Sequence, residues 1–121
     1  QIFGNEPNIS NLYGISDIVL STSVLPEAFG RTITEGQAME KLVIATNIGG
    51  AVETISDNKT GFHVKPGDAD DLAEKLEYCF SIMKTEDGRK IQKAARQVVI
   101  DKFSLDVMLD KTLDLYKKML K

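Results

Sequence analysis

The sequence is poor in the residues that form cross-links, bind nucleic acid or span membranes. It has one cysteine, Cys79, in 121 residues. A lone cysteine cannot form an internal disulfide, so we expect a reducing, cytoplasmic setting. Asp and Glu (18) outnumber Lys and Arg (15), which argues against a nucleic-acid partner, because phosphate backbones are bound by clustered basic side chains. No apolar run approaches the roughly 20 residues that span a bilayer.

The residues that are present are those of an ordinary folded domain. Hydrophobic residues make up 42% of the chain and charged residues 27%, and 121 residues are enough for one domain but not for two. The first residues, 1–4, have the pattern of a strand that runs into a turn, and no initiator Met precedes them. We therefore expect the chain to begin inside a larger protein.

Short apolar runs alternate with helical patterns up to residue 68, which is typical of an α/β fold with a parallel sheet. The predicted strands are residues 2–3, 18–20, 42–45 and 62–64, and the predicted helices are residues 9–15, 31–40 and 51–55. We expect helices on both faces of a sheet of three or four strands.

From residue 69 to residue 121 the pattern predicts three helices and no strand. Asp68 and Ser104 are suited to cap the first and the last of them, because their side-chain oxygens can accept from free backbone N–H groups. Apolar residues recur at helical spacing in all three helices. In the first helix they are Leu72, Leu76, Cys79, Phe80 and Met83.

Residues 26–35 join a predicted strand to a helix and contain two glutamates, Glu27 and Glu35. Such a segment lies at the carboxyl edge of a parallel sheet, where α/β proteins bind ligands. Gly30 permits close approach of a ligand, and the N–H groups of Arg31 and Thr32 at the helix start would suit a diphosphate. The carboxylates on either side would suit sugar hydroxyls.

This segment resembles the Glu-x7-Glu motif of retaining glycosyltransferases with the two-domain GT-B fold, a large family that includes many bacterial envelope glycosyltransferases. The similarity extends in order along nearly the whole chain. It includes residues 16–21, 26–31, 35–39, 43–46, 49–50, 60–62, 66–68 and 103–104, together with Glu53.

The resemblance implies that residues 1–121 are half of the C-terminal domain of such an enzyme. Residues 1–68 would form an incomplete Rossmann-like sheet with the Glu-x7-Glu site, and residues 69–121 a helical tail. The parent enzyme would move a sugar from a nucleoside diphosphate sugar to an acceptor, with retention of configuration. It would need no metal and no cofactor beyond the donor substrate, and would serve polysaccharide or lipopolysaccharide synthesis.

The resemblance also implies a role for each matching residue. Glu27 would contact the donor sugar and is the candidate catalytic residue. Gly30, Arg31 and Thr32 would bind the diphosphate, and Glu35 would accept hydrogen bonds from the ribose diol. Two further residues, Gly49 and Gly50, are either a second donor contact or a turn into a helix. The family often has a small residue or glycine where this chain has Glu40-Lys41.

Several parts of such an enzyme do not occur in this sequence. In the family, an Arg and a Lys that neutralise the diphosphate come from an earlier βα segment, and an N-terminal domain supplies the acceptor site. We therefore expect this chain to be inactive alone. We also expect it to self-associate through apolar surface that the missing parts would cover. The parent enzyme would be cytoplasmic, and peripheral at the inner face of the membrane.

Other functions remain open at this point. The chain could belong to a non-catalytic nucleotide-sugar-binding module, to one half of a split enzyme, or to a sugar phosphorylase or synthase of the same fold. A hydrolase that uses the two glutamates as acid and nucleophile is a weaker alternative. The Asp68-Ala69-Asp70 triplet resembles a metal-binding Asp-x-Asp, but its position before a helix favours capping.

Overall fold

The computed structural model describes residue 4 and residues 6–120. In chain order the elements are α1 (Ile9–Ile15), β1 (Ile18–Ser21), α2 (Arg31–Ala38), β2 (Leu42–Thr46), α3 (Ala51–Thr54), β3 (Phe62–Val64), α4 (Ala69–Ile82), α5 (Glu86–Phe103) and α6 (Leu105–Met119). The strand predicted at residues 2–3 lies outside the described residues. The other predicted strands and helices are present, with ends that differ by at most two residues.

The three strands form a parallel sheet in the order β1-β2-β3. Ile18 pairs with Leu42, and Ile44 pairs with Phe62. A helix connects each strand to the next, as parallel strands require. The predicted α/β class and the parallel pairing are therefore confirmed.

The central strand β2 is buried along its whole length, because helices cover both faces of the sheet. Val43 and Ala45 point to one side, where they pack with residues of α1, α2 and α3. Leu42 and Ile44 point to the other side and pack against α4 and α5. Alternate residues of a strand face opposite ways, so a strand covered on both sides is apolar at every position.

The first helix after the sheet, α4, is capped as predicted, but its apolar face is narrower than expected. The backbone N–H of Asp71 donates to the Asp68 carboxylate at 2.9 Å. Cys79 is fully buried, and that burial raises the pKa of its thiol to about 11. The prediction was wrong for Phe80, which is 58% exposed, because its direction on the helix turns it away from the sheet.

Helix α2 ends at Ala38 and not at residue 40 as predicted, because Glu40 adopts a left-handed backbone conformation with φ 54°. The N–H of Lys41 donates to the carbonyl of Gly36, and that of Glu40 to the carbonyl of Gln37. These two bonds form a Schellman motif, which usually has glycine at the left-handed position. Arg96 of α5 holds this end through the carbonyl of Ala38 and an ion pair with Glu40.

The last helix, α6, begins at its predicted cap Ser104 and has no buried residue. Its exposed large apolar residues are Leu105, Met108, Leu109, Leu113, Leu115, Tyr116 and Met119. The expected uncovered apolar surface is therefore present, and self-association through it stays a prediction. Within residues 4 and 6–120, no helix is both long and apolar enough to cross a bilayer.

Glu40 gives a test of the strain at the end of α2. A left-handed conformation costs a residue with a Cβ about 1–2 kcal/mol, whereas glycine avoids this cost but loses more chain entropy on folding. We expect Glu40→Gly to raise the free energy of unfolding by about 0.5–1 kcal/mol in urea denaturation. Glu40→Ala is the matched control, since it removes the exposed Arg96 ion pair but keeps the strain. Equal stability of the two variants would contradict this explanation.

Candidate functional site

The loop between β1 and α2 and the turn between β2 and α3 meet at the carboxyl edge of the sheet. Glu27 lies in the first of these and Gly49 and Gly50 in the second. A small cleft between the two is lined by residues of both, including Ser23, Glu27 and Ile48. This is the position at which the sequence predicted a ligand site.

Gly30 ends the loop and caps α2 with its backbone alone. It is buried and left-handed, with φ 77° and ψ 64°, and its carbonyl accepts from the N–H of Ile33 at 3.0 Å. A Cβ at this position would meet Ile33 Cδ1 at 2.9 Å and would lie 3.9 Å from Glu27 Oε2. The loop thus brings the Glu27 carboxylate close to the start of the helix.

The start of α2 has the features of an anion site. Arg31 and Thr32 are exposed, and within the described residues their N–H groups donate to no other group. N–H groups in the first turn of a helix have no partner inside the helix, and the helix dipole favours a negative charge there. No side chain caps α2, so these donors are available to a ligand.

Glu35 lies one turn further along α2, and each of its carboxylate oxygens already accepts a hydrogen bond. Arg31 Nη2 donates to Oε1 at 2.8 Å, and the Tyr13 hydroxyl donates to Oε2 at 3.0 Å. Burial, reinforced by the Glu35 carboxylate, raises the pKa of Tyr13 to about 12. Tyr13 therefore stays protonated and keeps donating to Glu35 throughout the physiological pH range.

Sequence reasoning missed Tyr13. The residue lies in the predicted helix 9–15, 22 positions before Glu35, and no motif spacing connects the two. The one signal was an aromatic hydroxyl on the apolar side of a short helix, because a buried tyrosine usually has a hydrogen-bond partner.

The Gly49-Gly50 turn packs directly on the backbone of the Glu27 loop. The N–H of Gly50 donates to the carbonyl of Glu27 at 2.8 Å. A Cβ on Gly49 would lie 2.5 Å from that same carbonyl oxygen, and one on Gly50 would lie 2.7 Å from the backbone of Phe29. The turn therefore holds the Glu27 loop in place, and the N–H of Gly50 is used in doing so.

The Asp68-Ala69-Asp70 triplet lies at the start of α4 and is accounted for by capping. Asp68 accepts from Asp71 as described, and Asp71 in turn accepts from the N–H of Lys65 at 2.8 Å. In the part of the chain that the structure describes, no group of three or more His, Cys, Asp or Glu side chains is placed to hold a metal ion.

Comparison with known proteins decides the family. The sequence model described as "Glycosyl transferases group 1" matches residues 1–98. The chain belongs to this family. A related protein is the capsular polysaccharide biosynthesis glycosyltransferase CapM of Staphylococcus aureus, which is 33% identical over 95% of this chain and 32% of its own length.

Solved structures of other glycosyltransferases share the fold of this group 1 chain. A glycosyltransferase from Rickettsia africae is 66% identical, with a TM-score of 0.97 over 100% of this chain and 32% of its own. HepE from Anabaena, solved in complex with UDP-glucose, is 28% identical, with a TM-score of 0.89 over 96% of this chain and 31% of its own. These matches confirm the predicted C-terminal portion of a GT-B glycosyltransferase. The chain spans about a third of the length of these relatives.

The contact between Gly49 and Glu27 gives a second test. Gly49 (φ 56°) and Gly67 (φ 74°) are both left-handed, so alanine at either one is strained by about 1–2 kcal/mol. Only at Gly49 would the new Cβ also overlap a neighbouring backbone, since Gly67 has nothing within 4 Å. We expect Gly49→Ala to lower the free energy of unfolding by about 1–3 kcal/mol more than Gly67→Ala. Equal losses in urea denaturation would show that the turn does not hold the Glu27 loop.

Proposed function

We propose that this chain forms the donor-binding half of the active site in a retaining glycosyltransferase that uses a nucleoside diphosphate sugar. The observation that carries the proposal is the arrangement at the start of α2. Free N–H groups at Arg31 and Thr32 lie between a carboxylate on the loop, Glu27, and a carboxylate one turn into the helix, Glu35. A sugar, a diphosphate and a ribose in a row would match this order.

The chemistry of each group supports its role. Backbone N–H groups at a helix start suit phosphoryl oxygens, and Gly30 leaves room for the ligand to approach. Carboxylates repel phosphates but accept strong hydrogen bonds from hydroxyls. Following the roles that the family resemblance implies, Glu35 is assigned to the ribose diol, and Glu27 to the hydroxyls of the transferred sugar, where the chemical step occurs.

The donor is proposed to be a UDP-sugar, because HepE, which shares this fold, has been solved with UDP-glucose. The acceptor site, the contacts to the base and further neutralisation of the diphosphate are assigned to parts of the parent enzyme outside this chain. That division is supported by the length of the relatives, of which this chain spans about a third. On this proposal, the isolated chain has no turnover.

The two glutamates should behave differently when they are changed in the complete protein. Glu35→Ala removes two charge-assisted hydrogen bonds, each worth roughly 1.5–3 kcal/mol before water replaces part of them. Affinity for UDP should fall by about tenfold to a hundredfold, with Glu35→Gln in between. Glu27→Gln should leave affinity for UDP unchanged and lower turnover of the UDP-sugar. Calorimetry and a transfer assay measure the two effects.

Glu74→Ala is the matched control, because it removes a glutamate from α4 and not from the loop or helix of the site. It should change neither UDP affinity nor turnover. If Glu27→Gln lost UDP affinity while Glu35→Ala kept it, the two roles would be reversed. Binding of UDP-sugar by the complete protein without any turnover would instead favour the non-catalytic nucleotide-sugar-binding module.

A further inference from the structure

The proposed ribose ligand, Glu35, accepts hydrogen bonds from two side chains of this chain. Its Oε1 accepts from Arg31 Nη2 at 2.8 Å and its Oε2 from the Tyr13 hydroxyl at 3.0 Å. A carboxylate oxygen has about two acceptor positions, so a ribose diol would have to share or replace these donors. The two donors differ in how readily they can leave.

The Tyr13 side chain is held in place by its packing, whereas the Arg31 side chain is free to move. Tyr13, on α1, is 8% exposed and packs in the core with residues of α2 and the sheet, so its ring cannot swing away from Glu35 without disturbing that packing. The Arg31 side chain is 84% exposed and is connected to Glu35 by an ion pair within one helical turn. Exposed ion pairs of this kind add little to stability, so the Arg31–Glu35 bond can be broken at small cost.

The surroundings of Arg31 favour an anion as its next partner. Arg31 is the first residue of α2, so its side chain starts beside the free N–H groups of the anion site. It also lines a groove of about 910 Å³ between the Glu27 loop and α6, together with Lys102 and Lys111. A diphosphate in this groove would attract all three cations. A guanidinium can also bind phosphoryl oxygens through two parallel hydrogen bonds.

We propose that Arg31 is exchanged on donor binding: it leaves its ion pair with Glu35 and moves to the donor diphosphate when the ribose takes its place, while Tyr13 holds the Glu35 carboxylate in position throughout. This inference rests on the proposed function. It makes Arg31 a second, side-chain ligand for the diphosphate, in addition to its backbone N–H. It also couples recognition of the ribose to recognition of the diphosphate.

The coupling predicts opposite responses to two ligands. On the proposed exchange, a nucleoside displaces Arg31 from Glu35 without giving it a new partner, whereas a nucleoside diphosphate provides one. In the complete protein, Arg31→Gln should therefore leave uridine affinity unchanged or raise it up to about tenfold. The same change should lower UDP affinity by about tenfold. The measurements are calorimetry for UDP and competition against UDP for uridine, and the decisive quantity is the ratio of the two dissociation constants.

Three further variants separate exchange from a structural effect. Tyr13→Phe keeps the ring but loses the hydroxyl, so it should weaken uridine and UDP by the same factor, about threefold to tenfold, and leave the ratio unchanged. Arg31→Lys keeps the charge without the planar fork and should give an intermediate ratio. Arg89→Gln, a change of an exposed arginine on α5, should match the unaltered protein.

The outcomes are distinct. A fall of about tenfold or more in the preference for UDP over uridine in Arg31→Gln supports the exchange. An equal change for both ligands, or none for either, overturns it and leaves the proposed function standing. If neither UDP nor the corresponding ADP and GDP controls bind the unaltered protein, the proposed function itself fails and the exchange fails with it.

Discussion

The burial of β2 on both faces is the constraint on which the rest of the structure depends. Its five residues are all buried, and none of the charged residues of the chain lies in it. A strand enclosed in this way cannot shift its register by one residue without exchanging its two sets of contacts. The parallel pairing with β1 and β3 therefore fixes where the loops after β1 and β2 emerge. Both emerge at the same edge, and this is why a carboxylate and a helix start come together there.

The site adds a second, local constraint to this one. The loop that carries Glu27 and the turn at Gly49 and Gly50 touch backbone to backbone, with no room for a Cβ between them. Such contacts place a loop more firmly than exposed side chains would, because they use fixed main-chain groups and a direct main-chain hydrogen bond. Glu35 gains its position differently, from the regular geometry of α2 and from the buried hydroxyl of Tyr13. One carboxylate is thus placed by close packing and the other by a helix.

Much of this could be predicted from sequence because the signals were local. The apolar run in β2, the strand-to-helix segment with Glu27 and Glu35, and the cap at Asp68 each occupy a few adjacent residues. The features that were missed depend on residues far apart in the chain. Tyr13 meets Glu35 only because α1 packs beside α2, and the exposure of Phe80 depends on which side of α4 the sheet covers.

The error at the end of α2 had a different cause. Glu40 adopts a left-handed backbone conformation, which a residue with a Cβ rarely adopts, so its side-chain type alone does not predict the turn. Glutamate favours continuation of a helix, and the sequence therefore predicted α2 through residue 40. The fold overrides this preference, because β2 must start at Leu42 and the chain must reverse before it. Arg96 from α5 contacts both Ala38 and Glu40 and helps to hold the reversal. A contact with a residue 56 or more positions away thus supports the end of this helix, and no local pattern predicts it.

The electrostatics of the site bear on the proposal that it forms half of an active site. The start of α2 contributes the equivalent of about half a positive charge, and this is spread over a few N–H groups. Arg31 is a cation at the helix start, but its charge is paired with that of Glu35. Under the proposed function, the carboxylates of Glu27 and Glu35 lie beside an anionic diphosphate. The attraction of the helix start alone is too small to offset that repulsion, because exposed charges near a helix start interact by only about 0.3–1 kcal/mol.

Under the proposed function, the balance of charge requires that Arg31 be released to the diphosphate and that further cations come from the rest of the enzyme. The exchange of Arg31 and the cations from the rest of the enzyme would both offset the excess of negative charge that the two glutamates and the diphosphate create.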